Sequence, residues 1–345
     1  MAAFVHDVAP QRVVFAPGAV GRVAEEVTRL GLNRVLVIAT PGSGARLGAK
    51  VRDLLGSNAV GLHAEAVVHV PRAVAEAGIE AATSNSADGL VAVGGGAAIG
   101  LAKAIALQLP LPILAIPTTY SGSEATPLYG TTDGERKITG SDKRVVPRTI
   151  IYDPDLTLGL PAAVSAASGM NAMAHAVEGL WIANRTPVNV ALATDALRRF
   201  AIYLPRVVTN GDDRDAREQC LVAAWLAGTV LTGGTALHHK LAHVLGGLGL
   251  PHAETHAILL PHVTRFNAEA APDASRRLRE VLADDDPARA LARMLSDFPL
   301  PQRLRDVGLQ QEKIAFVAGE IGKMKVTAPR SASAENVRTL LGAAY

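Results

Sequence analysis

Apolar residues fall into two textures along this chain. In the first part they form short unbroken runs: 34–39 (RVLVIA), 89–93 (GLVAV), 111–117 (LPILAIP) and 148–154 (RTIIYDP). Runs of this length, bounded by turn formers, fit strands buried on both faces. Between them apolar positions recur at helical spacing, as in 20–31 (VGRVAEEVTRLG) and 97–108 (AAIGLAKAIALQ). Strand and helix in alternation predict βαβ units and a parallel sheet. Beyond Pro161 the chain turns to long Ala- and Leu-rich helical stretches, such as 163–183 and 187–208, and strand-like runs almost vanish. The pattern predicts an α/β domain over 1–160 and an all-helical domain over 161–345, with the boundary near 156–161 (LTLGLP).

Composition narrows the function classes. Of 345 residues, 49% are hydrophobic, enough for a large core. Lys and Arg number 34 against 32 Asp and Glu, so there is no basic surplus of the kind a nucleic-acid binder carries. One cysteine, Cys220, forbids an intrachain disulfide and suits a reducing compartment. The start, MAAFVHDVAPQ, has neither a basic segment nor an apolar one, so no signal peptide is expected. The most apolar window, 101–117, is interrupted by Lys103, Gln108, Pro110, Pro112 and Pro117, which excludes it as a span. The expectation is a cytoplasmic protein with neither nucleic-acid nor membrane partners.

Two loops bear on small-molecule binding. In GLVAVGGGAAIGLAKAIAL, Gly94, Gly95 and Gly96 join a strand to a helix. Glycines there admit a ligand close to the backbone, and the helix start offers free N–H groups to a pyrophosphate. Gly94, Gly96 and Gly100 give GxGxxxG, one residue longer than the usual dinucleotide fingerprint. The second loop, IPTTYSGSEATP, is rich in hydroxyls and also follows a strand. In an open α/β sheet ligands bind beyond the carboxyl ends of the strands, so two such loops point to a nucleotide. Gly94, Gly95, Gly96, Ala97, Thr118 and Thr119 are the candidate cofactor contacts.

Six of ten histidines crowd into TALHHKLAHVLGGLGLPHAETHAILLPH, residues 235–262. His239 and His243 are four apart, hence on one helical face, and Asn171 and His175 repeat that spacing in SGMNAMAHAVEGL. A glycine turn then leads to His252 and His256, with Pro251 as first helical residue. HAETH is not the zinc-protease HExxH, because its acid stands third. Spacing alone leaves a metal site, a proton-transfer site and a packed helix pair all open.

VAVGGGAAIGLAKAIAL, IPTTYSGSEATP, IYDPDLTLGLP, SGMNAMAHAVEGLW and HHKLAHVLGGLGLPHAETHAILLPH together resemble the iron-containing alcohol dehydrogenases, and within that group the maleylacetate reductases. The likeness spans nearly the whole chain. Asn171 stands where the alcohol dehydrogenases carry aspartate, Gly100 where they usually carry Asp, and TTYSGSE is one residue shorter than their loop. Ala97 departs from both groups, where serine is usual.

The resemblance implies a Rossmann-like dinucleotide-binding α/β domain followed by an all-α domain, the dehydroquinate synthase-like architecture, with the active site between them in a homodimer. It implies reduction of maleylacetate to 3-oxoadipate with NADH or NADPH. It maps metal-ligand positions onto Asn171, His175, His239 and His252. An amide binds a divalent cation less well than a carboxylate, so zinc or iron on His175, His239 and His252 is expected to be dispensable. Candidate roles follow. His243 is the proton donor; His175, His239 and His252 hold the ketone oxygen, with Tyr120 as a further donor. Asn171, Lys240 and Ser121 contact the dicarboxylate, and Lys103, Lys137 and Arg265 are further cations for it. An acidic residue usually closes the second Rossmann strand and repels a 2′-phosphate; Thr40 and Pro41 stand there instead, so NADPH is expected to be tolerated. A metal-dependent alcohol or glycerol dehydrogenase of the same family is the alternative.

Overall fold

The computed structural model describes residues 4–6, 10–134 and 136–345. They divide into two compact units, one ending at Leu160 and the other running over Pro161–Tyr345 with the N-terminal residues 4–6.

In the first unit six parallel strands lie side by side: β1 (Arg12–Phe15), β2 (Val35–Ile38), β3 (Ala59–His63), β4 (Gly89–Gly94), β5 (Ile113–Pro117) and, after a hairpin of β6 (Leu128–Asp133) and β7 (Arg136–Ser141), β8 (Thr149–Tyr152). The spatial order is β1-β8-β5-β4-β2-β3. Four helices connect them: α1 (Val23–Arg29), α2 (Ser43–Leu55), α3 (Arg72–Ser84) and α4 (Gly96–Gln108). Successive strand side chains point to opposite faces. Leu36, Ile38, Leu90 and Ala92 accordingly pack with Ile99 and Ile105 of α4. Val35, Val37, Val91 and Val93 pack with Val27 of α1 and Val51 of α2. Both faces are thus dry, which is why β2, β4, β5 and β8 read as unbroken apolar runs. β1 and β3 are the edge strands; β3 is only half-buried through most of its length, and its sequence signal is correspondingly faint.

β2 to β3 steps outward from β4, whereas β4 to β5 steps outward the other way. The chain therefore changes direction between β2 and β4, the position at which open α/β sheets bind ligands beyond the strand ends. Thr40 follows β2, Gly94–Gly96 close β4, and Thr118–Ser121 follow β5, so all three segments share one edge.

The second unit is helical: α5 (Ala162–Gly179), α6 (Pro187–Thr209), α7 (Arg214–Val230), α8 (Leu237–Gly247), α9 (His252–Ala268), α10 (Pro272–Leu282), α11 (Pro287–Asp297), α12 (Lys313–Lys323) and α13 (Ala334–Ala344). From Ser165 to Gly179 every residue of α5 is buried. A helix enclosed on all sides needs no polar stripe, and its Ala- and Gly-rich sequence lets neighbours approach closely. A Cβ on Gly169 would stand 2.6 Å from Leu204 of α6, and one on Gly179 would run into Val230 of α7. Leu241, Leu245, Ile258, Val317 and Leu341 join α8, α9, α12 and α13 in one apolar core. Cys220 lies buried on α7. Among the described residues no single helix is long and apolar enough to cross a membrane.

Candidate active site

On the nucleotide side, the two loops are fitted to each other. The N–H of Thr118 donates to the carbonyl of Gly94 (3.1 Å). Gly94 has φ 141°, a conformation L side chains rarely adopt. At Gly95 an added Cβ would lie 2.8 Å from Thr119 Cγ2 and 3.0 Å from its Oγ1, so this position has no room for one. The helix α4 begins at Gly96, and the N–H groups of its first turn have no partner within the helix. Gly96 is exposed and Ala97 half-buried. Ser121 is half-buried, and its Oγ would lie 3.8 Å from a Cβ on Gly96. Tyr120, by contrast, is wholly buried as part of the unit's core.

Lys103 is not available to a substrate. It is 1% exposed, and its ammonium is engaged by protein oxygens. Arg265 is exposed and faces Asp286 at 3.5 Å. Lys137 sits on the β6–β7 hairpin, and Lys240 is half-buried beside His239.

In the helical unit the histidines converge. Asn171, His175 and Glu178 follow one another along one side of α5, all buried. His238, His239 and His243 come from α8, His252 and His256 from α9. Ring centroids lie 4.9 Å apart for His175 and His239, 4.8 Å for His239 and His256, and 4.5 Å for His252 and His256. His243 reaches His239 at 6.2 Å and His252 at 6.3 Å. His256 is thus the ring that touches both His239 and His252. It also stacks on His238 at 4.9 Å. Helical spacing does not single out this central place, because it arises from the crossing of α8 and α9. His243 and His252 are half-buried, so solvent reaches that end of the cluster. His6 bonds Thr186 (3.1 Å), and His63 and His69 belong to the other unit.

Glu178 organises the cluster. Its carboxylate accepts from the backbone N–H of Ala236 (3.0 Å) and of His238 (2.7 Å), which opens the first turn of α8. It also accepts from Nδ1 of His239 (2.5 Å). Burial raises the carboxyl's pKa, but His239 and these donors outweigh it and hold Glu178 below the usual range. With Nδ1–H committed to a carboxylate, His239 presents Nε2 to its surroundings. Burial, reinforced by neighbouring histidines, puts His175 and His256 well below the usual histidine pKa. His238 is pushed to about 3, chiefly by burial. These three rings are neutral at pH 7. Buried without hydrogen-bond partners are Nδ1 of His175, Nε2 of His238 and His239, and both nitrogens of His256.

The donor set that would face a divalent metal is three neutral-nitrogen donors, His175, His239 and His252, with no free carboxylate beside them. Among the described residues no group of three or more His, Cys, Asp or Glu side chains is disposed to hold one. The fourth position on α5 is the amide of Asn171, and the nearby carboxylate, Glu178, is already taken by α8.

Two sequence profiles match the chain, the iron-containing alcohol dehydrogenase over residues 10–154 and the C-terminal part of the Fe-containing alcohol dehydrogenase family over 165–345. The maleylacetate reductase of Pseudomonas knackmussii is 43% identical over 344 residues, covering 99% of this chain and 97% of that protein. Maleylacetate reductase 2 of Cupriavidus pinatubonensis is 45% identical, covering 99% and 96%. The crystal structure of maleylacetate reductase from Agrobacterium tumefaciens superposes with a TM-score of 0.94 at 41% identity, covering 100% of this chain and 99% of that one. The parallel sheet with its glycine turn, the helical unit with its histidines, and both profiles agree: the chain belongs to the iron-containing alcohol dehydrogenase family.

Proposed function

We propose that this enzyme reduces the carbon–carbon double bond of maleylacetate with NADH or NADPH. The observation that carries the reading is the all-histidine cluster with an amide, Asn171, at the position where the resemblance puts aspartate in the alcohol dehydrogenases. Full-length identity to maleylacetate reductases supports it. Membership of the family brings NAD(P) binding and, in most members, a metal. In our reading this chain works without one.

The nucleotide's pyrophosphate is assigned to Gly94–Gly96 and the start of α4, with Ala97 contributing its backbone N–H, and to Thr118 and Thr119. Thr40, just beyond β2, is assigned to the adenine ribose; with no carboxylate at that position, a 2′-phosphate would be accepted. Values of kcat/KM for NADPH and NADH within about tenfold would support this. A preference for NADH above about a hundredfold, near 2.7 kcal/mol, would refute it.

Maleylacetate is an enone flanked by two carboxylates. When bound, NAD(P)H would supply a hydride to the alkene carbon beta to the ketone. The alkene π pair moves to form an enolate, and charge builds on the ketone oxygen. Donors fixed in advance at that oxygen lower the barrier. His175 is neutral and donates from whichever nitrogen carries its proton. His239 gives its Nδ1–H to Glu178, so it donates from Nε2 only as the imidazolium. His252 completes the set. His243, half-buried, protonates the enolate carbon and is recharged from water. Asn171, Ser121 and Lys240 are assigned to the substrate's carboxylates. Tyr120 is withdrawn as a donor because of its burial. A homodimer in the cytoplasm is part of the same proposal.

The test is NADH oxidation with maleylacetate before and after exhaustive chelation, with metal analysis of the same sample. Steady turnover that survives metal removal is expected. Turnover of simple alcohols with none of maleylacetate would overturn the reading, and loss of activity on chelation would overturn its metal-free form.

A further inference from the structure

One buried ion is left over by this chemistry. Lys103 lies on α4, two turns beyond the glycine loop, and is 1% exposed. Its Nζ donates to the carbonyls of Ser123 (2.6 Å), Thr126 (2.9 Å) and Leu128 (2.8 Å), and to the hydroxyl of Thr126 (3.1 Å). All four oxygens belong to the segment that directly follows Thr118–Gly122. The neighbouring acid, Glu124, is also buried, and its Oε1 takes the hydroxyl of Tyr152 (2.9 Å). A buried lysine ordinarily faces a carboxylate. Here neutral oxygens surround it at the distances and in the number that the four N–H groups of a bound ammonium ion would find.

We infer that Lys103 is a positioning residue that acts as a tethered monovalent cation, setting the course of the second nucleotide loop and with it the affinity for NAD(P)H. The inference rests on the assignment of the two loops to the nucleotide. The geometry suits the task. α4 starts at the first loop and, from Lys103 in its middle, is bonded to the second, so one charge ties both to one rigid element. Four acceptors and no donor match an ammonium with three N–H groups. A neutral amine would turn its lone pair onto a carbonyl oxygen. Burial draws the Lys103 pKa down to about 7, and Glu124 opposes that. Gly122, just upstream, holds a left-handed turn (φ 73°), and the Thr126 hydroxyl donates back to Ser123 (3.0 Å), so the segment is folded around the ion.

The experiment measures NADH binding by its fluorescence to wild type and to Lys103→Ala, in choline chloride and in ammonium chloride of equal ionic strength. For Lys103→Ala in choline, Kd is expected to rise about tenfold or more, since a charged donor to four buried acceptors is gone. Ammonium is expected to restore most of that loss, while kcat at saturating NADH changes less than threefold in comparison. Affinity within twofold of wild type in choline would overturn the inference. So would a loss that ammonium and choline leave equal, because that is the behaviour of a mere strut. If circular dichroism shows Lys103→Ala unfolded, Thr126→Val decides. It keeps the lysine and removes one acceptor, and about a threefold rise in Kd is expected against none if the cage is idle. Failure of wild type itself to bind NADH would overturn the nucleotide assignment rather than the role of Lys103 alone.

Discussion

Replacing Glu178 by glutamine keeps the side chain's shape and takes away its charge. Three N–H donors converge on this carboxylate: His238 N on Oε1, Ala236 N and His239 Nδ1 on Oε2. An amide has one acceptor oxygen. Its better orientation sets the oxygen toward Ala236 and His239 and the NH2 toward His238 N. One buried donor is then unpaired, at a cost of about 1–3 kcal/mol. The two surviving bonds fall from charge-assisted to neutral, which loses about 1 kcal/mol each. The sum is about 4 kcal/mol, a large part of the roughly 5–15 kcal/mol that holds a domain folded. For a unit of this size that lowers the melting temperature by about 10 °C. Urea unfolding followed by circular dichroism measures it, with an unchanged m-value as the check that the same surface unfolds. Catalysis should suffer separately: the charge-assisted bond that fixes the His239 ring and aims its Nε2 is weakened, and kcat is expected to fall about tenfold or more. A loss of stability under 1 kcal/mol, or wild-type kcat in a folded variant, would refute the role given to Glu178.

Other outcomes are open to direct measurement. His175, His238 and His256 have folded-state pKa values below the unfolded value near 6.5, so the unfolded chain binds more protons below that pH. Stability is therefore full above about pH 6.5 and falls as pH drops toward 3; His238 alone is expected to contribute a loss of about 2 kcal/mol at pH 5, read from urea midpoints at pH 7 and 5. A midpoint independent of pH over that interval would contradict the neutral cluster. Asn171→Asp restores an anionic donor one turn before His175, and the purified variant should carry at least about tenfold more zinc or iron than wild type by elemental analysis. Equal metal contents would mean that the amide is not what discourages the ion. Gly95→Ala puts a Cβ against Thr119, so KM for NADH should rise about tenfold while kcat falls less; an unchanged KM would remove these two residues from the nucleotide site.

The strands that were legible in the sequence are those with no solvent face. β2, β4, β5 and β8 present apolar residues on both sides, so their runs stand out. β1 and β3 lie at the sheet edges and mix small, polar and apolar residues, so the same criterion passes them by. The β6–β7 hairpin has a glycine directly after β6, Gly134, which takes φ 58°, a conformation glycine adopts without strain. Pro251 precedes α9 as its cap rather than opening it. Helical spacing correctly grouped Asn171 with His175 and His239 with His243. It was silent on the central place of His256 and on the carboxylate that orients His239. Both depend on how α5, α8 and α9 cross, and a one-dimensional period carries no information about crossings. Lys103 shows the converse. As a charge among apolar residues it reads as an interruption or as a substrate contact, and only the fold reveals the oxygens that enclose it.

Cys220 gives the helical unit a built-in clock. It is the sole thiol, fully enclosed on α7, and burial pushes its pKa well above the ordinary value. In the closed protein it is neither ionised nor reachable, so an alkylating reagent can label it only when α7 comes away from its neighbours. The labelling rate thus counts opening events of the unit that houses the histidines, without any engineered probe. A dicarboxylate held by those histidines would hold α7 shut as well, and the clock would slow in proportion to how much of the unit the ligand fastens.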